Sequence, residues 1–216
     1  MGDTGVKISN YEIAKQQAQK LFLTFEQEKM IQKFRLRHDP NLIYIDFLRR
    51  TYRIDRGCGL VVWSDNENDF TDTVEAGFNE AMTIYDILCY SREDWYLSEE
   101  FIEMKNLSSI KGGSAPLGNS LFQKFEKFFD HRDDVLSRAC EKLGGIRAGR
   151  GDVAYQLPMF TFFPVLVQFW NSDEEFPASL QIFVDKNALQ FMHFETLWYA
   201  ASHLLERLKE EMCEKT

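Results

Sequence analysis

The sequence predicts an α+β fold in which an antiparallel sheet, built from two separate blocks of strands, packs against several helices. Three observations carry that expectation. Apolar, β-rich runs cluster between residues 42 and 63 and again between 153 and 185. Connections inside each block are too short for helical crossovers, so neighbouring strands must run antiparallel. Around and between the blocks, apolar residues recur at helical spacing instead.

Taken in order, Tyr11, Ala14, Ala18, Leu21 and Phe22 mark a first helix. Thr24 and Gln27 form a capping-box pattern that restarts a helix through Phe34, and Asp39–Pro40 ends it. Leu42 to Asp55 is rich in Ile, Tyr and Phe and reads as strand, with a turn at Arg49–Arg50. A second turn at Gly57–Gly59 leads into a strand from Leu60 to Trp63. The arginines of this stretch (Arg49, Arg50, Arg53, Arg56) are interrupted by Tyr52, Ile54 and Asp55, which reads as one solvated strand face rather than a docking patch. Ser64 to Asp72 is an acidic loop, after which Phe78, Ala81, Met82, Tyr85, Leu88 and Cys89 line one face of a helix.

Lys111 to Asn119 is a Gly/Pro-rich loop. Leu121, Phe122, Phe125, Phe128 and Phe129 follow it as an aromatic stripe, expected to be core. Asp133 stands where the N-cap of a further helix belongs, running through Leu143 and stopped by Gly144–Gly145. Gly144 to Asp185 then holds the second strand block, bent around a hairpin tip with Asp173, Glu174 and Glu175. Leu197, Ala200, Ala201, Leu204, Leu205 and Leu208 make an amphipathic C-terminal helix, and its charged tail, Lys209 to Thr216, is expected to fray.

Composition bounds the function. At 216 residues, one domain over 1–216 with a single sizeable core is expected, and 19 phenylalanines make that core aromatic. The net charge of −9, with basic residues scattered among acids, argues against nucleic acid, whose binding draws on clustered Lys and Arg. No run approaches the roughly 18 apolar residues of a membrane span, and the first residues lack the apolar segment of a secretory signal. Cys58, Cys89, Cys140 and Cys213 are far apart and form no CxxC pair, so they read as reduced thiols of a cytoplasmic protein.

Motifs of known chemistry fail on context. Gly149 to Ala154 spells GxGxxA, but a helix precedes it and a strand follows, the reverse of a dinucleotide site. The histidines at 38, 131, 193 and 203 show no HExxH or i,i+4 pairing, and His193-Phe194-Glu195 lacks the PCxxC half of a zinc deaminase. His193 reads as structural. No GxSxG elbow exists, so no catalytic residue and no metal ligand is assigned. The hairpin acids keep two readings: a solvated turn, or a carboxylate cluster on a rigid strand pair flanked by Trp170 and Phe176.

One resemblance rests on this same segment. It opens with Gly151, Asp152, Ala154 and Tyr155, runs along an apolar strand with Pro164 to Trp170, and turns through NSDEEFPAS from Asn171 to Ser179. A strand ending at Phe183 and Asp185 follows, then Glu195 before the last helix. In these features the chain resembles an uncharacterised bacterial and archaeal family, domain-of-unknown-function family three-seven-eight-six, over about residues 11–208. It departs from the family pattern in the order Phe183-Val184-Asp185 and in Met192-His193-Phe194-Glu195. Some relatives carry an iron–sulfur domain like that of corrinoid iron–sulfur proteins of anaerobes, which implies an accessory or binding module in such metabolism.

Together these readings suggest a small-molecule or cofactor site at the 147–155 loop and the 170–177 tip. Arg147 and Arg150 would meet anionic groups, Tyr155 and Trp170 would form aromatic walls, and Asp152, Asp173, Glu174, Glu175 and Asp185 would orient the ligand. The alternatives are an enzyme that uses Asp152 and the Asp173–Glu175 carboxylates with a metal or as acid and base, and a module that docks a protein partner. The cofactor, if any, and the oligomeric state stay open.

Overall fold

The computed structural model describes residues 9–64, 72–107 and 118–214, with side chains in the last stretch from Phe122 onward. The interior of the expected acidic loop, the expected Gly/Pro loop up to residue 117, and the Leu121 side chain lie outside the described residues.

The two predicted strand blocks form one sheet. The first contributes β2 (Leu42–Phe47), β3 (Arg50–Asp55) and β4 (Val61–Trp63), and two short strands outside the expected block, β1 (Arg37–His38) and β5 (Val74–Glu75), extend it. After β6 (Phe101–Glu103) comes the second, with β7 (Ile146–Arg147), β8 (Val153–Phe160), β9 (Phe163–Trp170) and β10 (Ser179–Asp185). Their order is β5-β4-β3-β2-β8-β9-β10-β6, with β1 beside β2 and β7 beside β8. Every pairing is antiparallel. The blocks join through a single aligned pair, Phe47 with Phe160, whose rings stack at 4.5 Å.

Among the described residues six α-helices complete the α+β fold: α1 (Asn10–Phe22), α2 (Gln27–Phe34), α3 (Phe78–Tyr90), α4 (Gly118–Phe129), α5 (Asp133–Lys142) and α6 (Phe194–Cys213). α6 packs against both α3 and α5. Its stripe from Leu197 to Leu208 is buried as expected, and the helix continues through the charged tail to Cys213. Phe122, Phe125 and Phe129 are core, each ring contributing roughly 1.5–3 kcal/mol.

Three local expectations are corrected. The β2–β3 turn is Leu48–Arg49, because Arg50 already pairs with Phe47. Both turn residues have positive φ (51° and 62°), as a two-residue hairpin demands, although neither is Gly or Asn. Left-handed geometry costs roughly 1–2 kcal/mol per residue. Leu48 offsets it by complete burial and by donating its N–H to Met159 O at 2.9 Å. The Thr24 capping box does not form: Thr24 Oγ1 donates to Leu21 O, and Glu26 precedes α2 without a side-chain cap. Asp133 is the first residue of α5 rather than its cap, and its carboxylate accepts instead from Asn171 Nδ2.

Candidate functional site

The hairpin between β9 and β10 is held by one carboxylate of its own and two from outside it. Asp173 Oδ1 accepts from the N–H groups of Glu175 (2.8 Å) and Phe176 (2.7 Å), which closes an Asx turn. Asp152 Oδ2 accepts from Asn171 N–H at 2.7 Å, and Asp130 accepts from both Ser172 N–H and Ser172 Oγ. Those bonds hold the Asp130 carboxyl below its ordinary range. Asp152, Trp170 and Asp173 line one open groove with Glu126 and Phe176.

The other candidates from the sequence lie elsewhere. Glu174, Glu175 and Arg150 are exposed. Arg147 Nε donates to Tyr155 Oη (3.1 Å), which donates to Glu141 Oε1 (2.8 Å), while the Tyr155 residue is buried in the core. Asp185 is buried and accepts four hydrogen bonds, from Ser98 N–H, Ser98 Oγ, Glu99 N–H and Asn187 N–H. Its carboxylate ties the end of β10 to the segment before β6 and holds Glu99 at a φ of 62°. Among the described residues no group of three or more His, Cys, Asp or Glu is placed to hold a metal ion.

A second concavity, of about 630 Å³, opens between α1, α3 and α6. Helical spacing puts Trp198, Tyr199, Ser202, His203 and Glu206 on one side of α6, facing the first turn of α3. Its walls are aromatic: Phe78 meets Tyr11 at 5.0 Å and Tyr199 at 5.2 Å, both edge-on. Tyr11, one of the apolar residues that marked the first helix, is 67% exposed at the mouth.

The inner end of this pocket is polar. Gly77 opens α3, and Glu80, three residues on, turns back so that Oε2 accepts Gly77 N–H. A Cβ at residue 77 would stand 3.0 Å from that oxygen, so glycine makes room for the inward carboxylate. Glu80 Oε1 accepts from Tyr52 Oη at 2.5 Å. Tyr52, fully buried on β3, also stands 3.1 Å from His203 Nε2. Behind them Arg50 Nη1 lies 3.5 Å from Glu80, and its guanidinium stacks 3.5 Å from the Trp63 ring centroid.

Electrostatics fix the protons. Burial, then the Arg50 and Arg207 charges, push the His203 imidazole down to about 3, so the ring is neutral near pH 7. Its 3.7 Å approach to Glu80 is therefore not an ion pair. Burial and the adjoining Glu80 push the Tyr52 phenol up, keeping it protonated. With the Tyr52 proton on Glu80, the consistent tautomer has His203 Nε2–H donating to Tyr52 Oη. Nδ1 is then an acceptor, with no hydrogen-bond partner among the described residues.

Sequence reasoning missed Arg50, Tyr52, Glu80 and His203. Two signals were present: a glutamate three residues after the helix-opening Gly77, and a histidine inside the apolar stripe between Ala200 and Leu204. His193 is structural as expected, its Nδ1 2.6 Å from Asp86 Oδ1 and its N–H donating to Asp86 Oδ2 at the start of α6.

In comparison with known proteins, the model of the family described as Domain of unknown function (DUF3786) matches residues 26–207. No curated protein and no solved structure matches. The matched region contains Tyr52, α3 and α6 as far as Arg207, while Tyr11 precedes it. Among the described residues no helix is long and apolar enough to cross a membrane.

Proposed function

We propose that this chain, which belongs to the DUF3786 family, is a small-molecule binding module whose site is the pocket between α1, α3 and α6. One observation carries the reading: a buried Glu80–Tyr52–His203 cluster forms the inner end of an aromatic-walled pocket of about 630 Å³. That volume is in the range of pockets for small organic ligands. Burying a carboxylate and an imidazole costs desolvation that an apolar core would avoid, and such departures from an apolar core concentrate at functional sites.

The accessory place in corrinoid or iron–sulfur metabolism rests on the family resemblance alone. A whole corrinoid is larger than this pocket, so a ligand from such metabolism would be one of its smaller molecules. The hairpin groove is a second reading, because it gathers Asp152, Trp170 and Asp173. Asp152 and Asp173, like the neighbouring Glu126, which accepts from Leu180 N–H, are turned onto backbone N–H groups, which favours loop building over ligand binding.

The test is a thermal-shift screen of small organic fragments on the protein and on two folded variants, Ser202→Trp and Asp173→Ala. Ser202→Trp fills the pocket, so stabilising fragments should lose their effect on it and keep it on Asp173→Ala. The opposite pattern would move the site to the hairpin.

A further inference from the structure

We propose that the pocket takes an organic ammonium, a protonated amine carried on a small aromatic body. This deepens the binding-module reading and rests on it.

The lining offers acceptors and π-faces to a ligand. Its ionisable side chains other than tyrosine are Glu80 at the inner end, Glu206 at the rim, and His203. No Lys or Arg lines it among the described residues. His203 is only 6% exposed, and its Nδ1 has no partner among the described residues. A neutral imidazole with Nε2–H committed to Tyr52 presents a lone pair there, which calls for a ligand donor. Asn79 and Ser202 can each serve either way, so they do not oppose a donor.

The walls point the same way. Tyr11, Phe78, Trp198 and Tyr199 line the space with aromatic rings, a residue type whose electron-rich faces attract cations and stack on an aromatic body. A carboxylate or phosphate would instead meet two acids of its own sign. Glu206 is partly compensated by Lys124, 2.6 Å from its Oε1. Arg50 sits 3.5 Å from Glu80, stacked on Trp63 and outside the lining. The net charge of −9 adds long-range attraction for a cation.

Matched ligand pairs test this by titration calorimetry on the intact protein: tryptamine, phenethylamine and benzylamine against their carboxylate counterparts, with tryptophol as a neutral analogue. At least one amine should bind about tenfold or more tighter than its carboxylate partner. That binding should vanish in Ser202→Trp and weaken about three- to tenfold in Glu206→Gln, which leaves tryptophol unaffected. If no amine exceeds its carboxylate partner, the ammonium proposal is overturned. Should carboxylates or tryptophol bind best and still be lost in Ser202→Trp, the pocket stands and only the charge assignment falls. Binding of any probe that survives Ser202→Trp contradicts the pocket itself.

Discussion

Tyr52 Oη donates a hydrogen bond to Glu80 Oε1 at 2.5 Å, joining strand β3 to the first turn of α3 across 28 residues of sequence. The same hydroxyl meets His203 Nε2 on α6, so one phenol holds three elements and sets the floor of the pocket.

Tyr52→Phe removes this hydroxyl, leaving His203 Nε2 without its partner and Glu80 Oε1 with only the 3.5 Å approach of Arg50 Nη1 in a buried site. The expected loss is about 2–3 kcal/mol, read as a lower urea midpoint at unchanged slope. A change within about 0.5 kcal/mol, the range of ordinary surface substitutions, would mean that water or another donor replaces the phenol.

His203 makes stability depend on pH in a defined direction. Its folded-state value is about 3, below the ordinary 6.5, so the unfolded chain takes up this proton first as pH falls. The stabilisation is complete above about pH 6.5 and is lost as pH falls toward 3. Between pH 7 and 5 the protein should lose about 2 kcal/mol more than His203→Gln does in the same denaturation series. Parallel losses in the two proteins would place a charged or exposed imidazole at residue 203.

Asp185 is itself buried and accepts four hydrogen bonds, so it belongs to the frame of the molecule. Asp185→Ala should cost about 3 kcal/mol or more and loosen the segment around Ser98 and Glu99, visible as faster amide exchange there. Ligand affinity at the α1–α3–α6 pocket should be unchanged wherever the variant is folded.

The four thiols should divide into two classes. Cys58 and Cys213 are exposed and should react promptly with a thiol-reactive disulfide reagent. Burial pushes the Cys89 and Cys140 thiols up to about 12, so the half-buried Cys89 should react slowly and the buried Cys140 only after unfolding. Four fast thiols in the native protein would contradict the packing of α3 and α5.

Local pattern explains what was legible. Tyr52 and Ile54 alternate inward on β3, and Phe122, Phe125 and Phe129 point into the core, because periods of two and three to four residues are written in the chain itself. The β2–β3 turn slipped by one position because Leu48 and Arg49 adopt left-handed geometry without the Gly or Asn that usually announces it. Thr24 offered a cap by pattern, yet its hydroxyl found Leu21 O nearer. The Phe47–Phe160 junction and the His203–Tyr52 contact, 151 residues apart, leave no trace in spacing, since only the folded sheet brings them together. Hence the acids of the hairpin stand out by their density, while the pocket, assembled from α1, α3 and α6, leaves no local signature.

The most direct measurement of where ligands bind is chemical-shift mapping of the isotope-labelled protein with a mixture of aromatic amines. The indole N–H of Trp198 and the amides of Tyr199, Ser202 and Glu80 should move together with increasing ligand. Shifts confined to Asp152, Trp170 and Asp173, with Trp198 unmoved, would contradict the account.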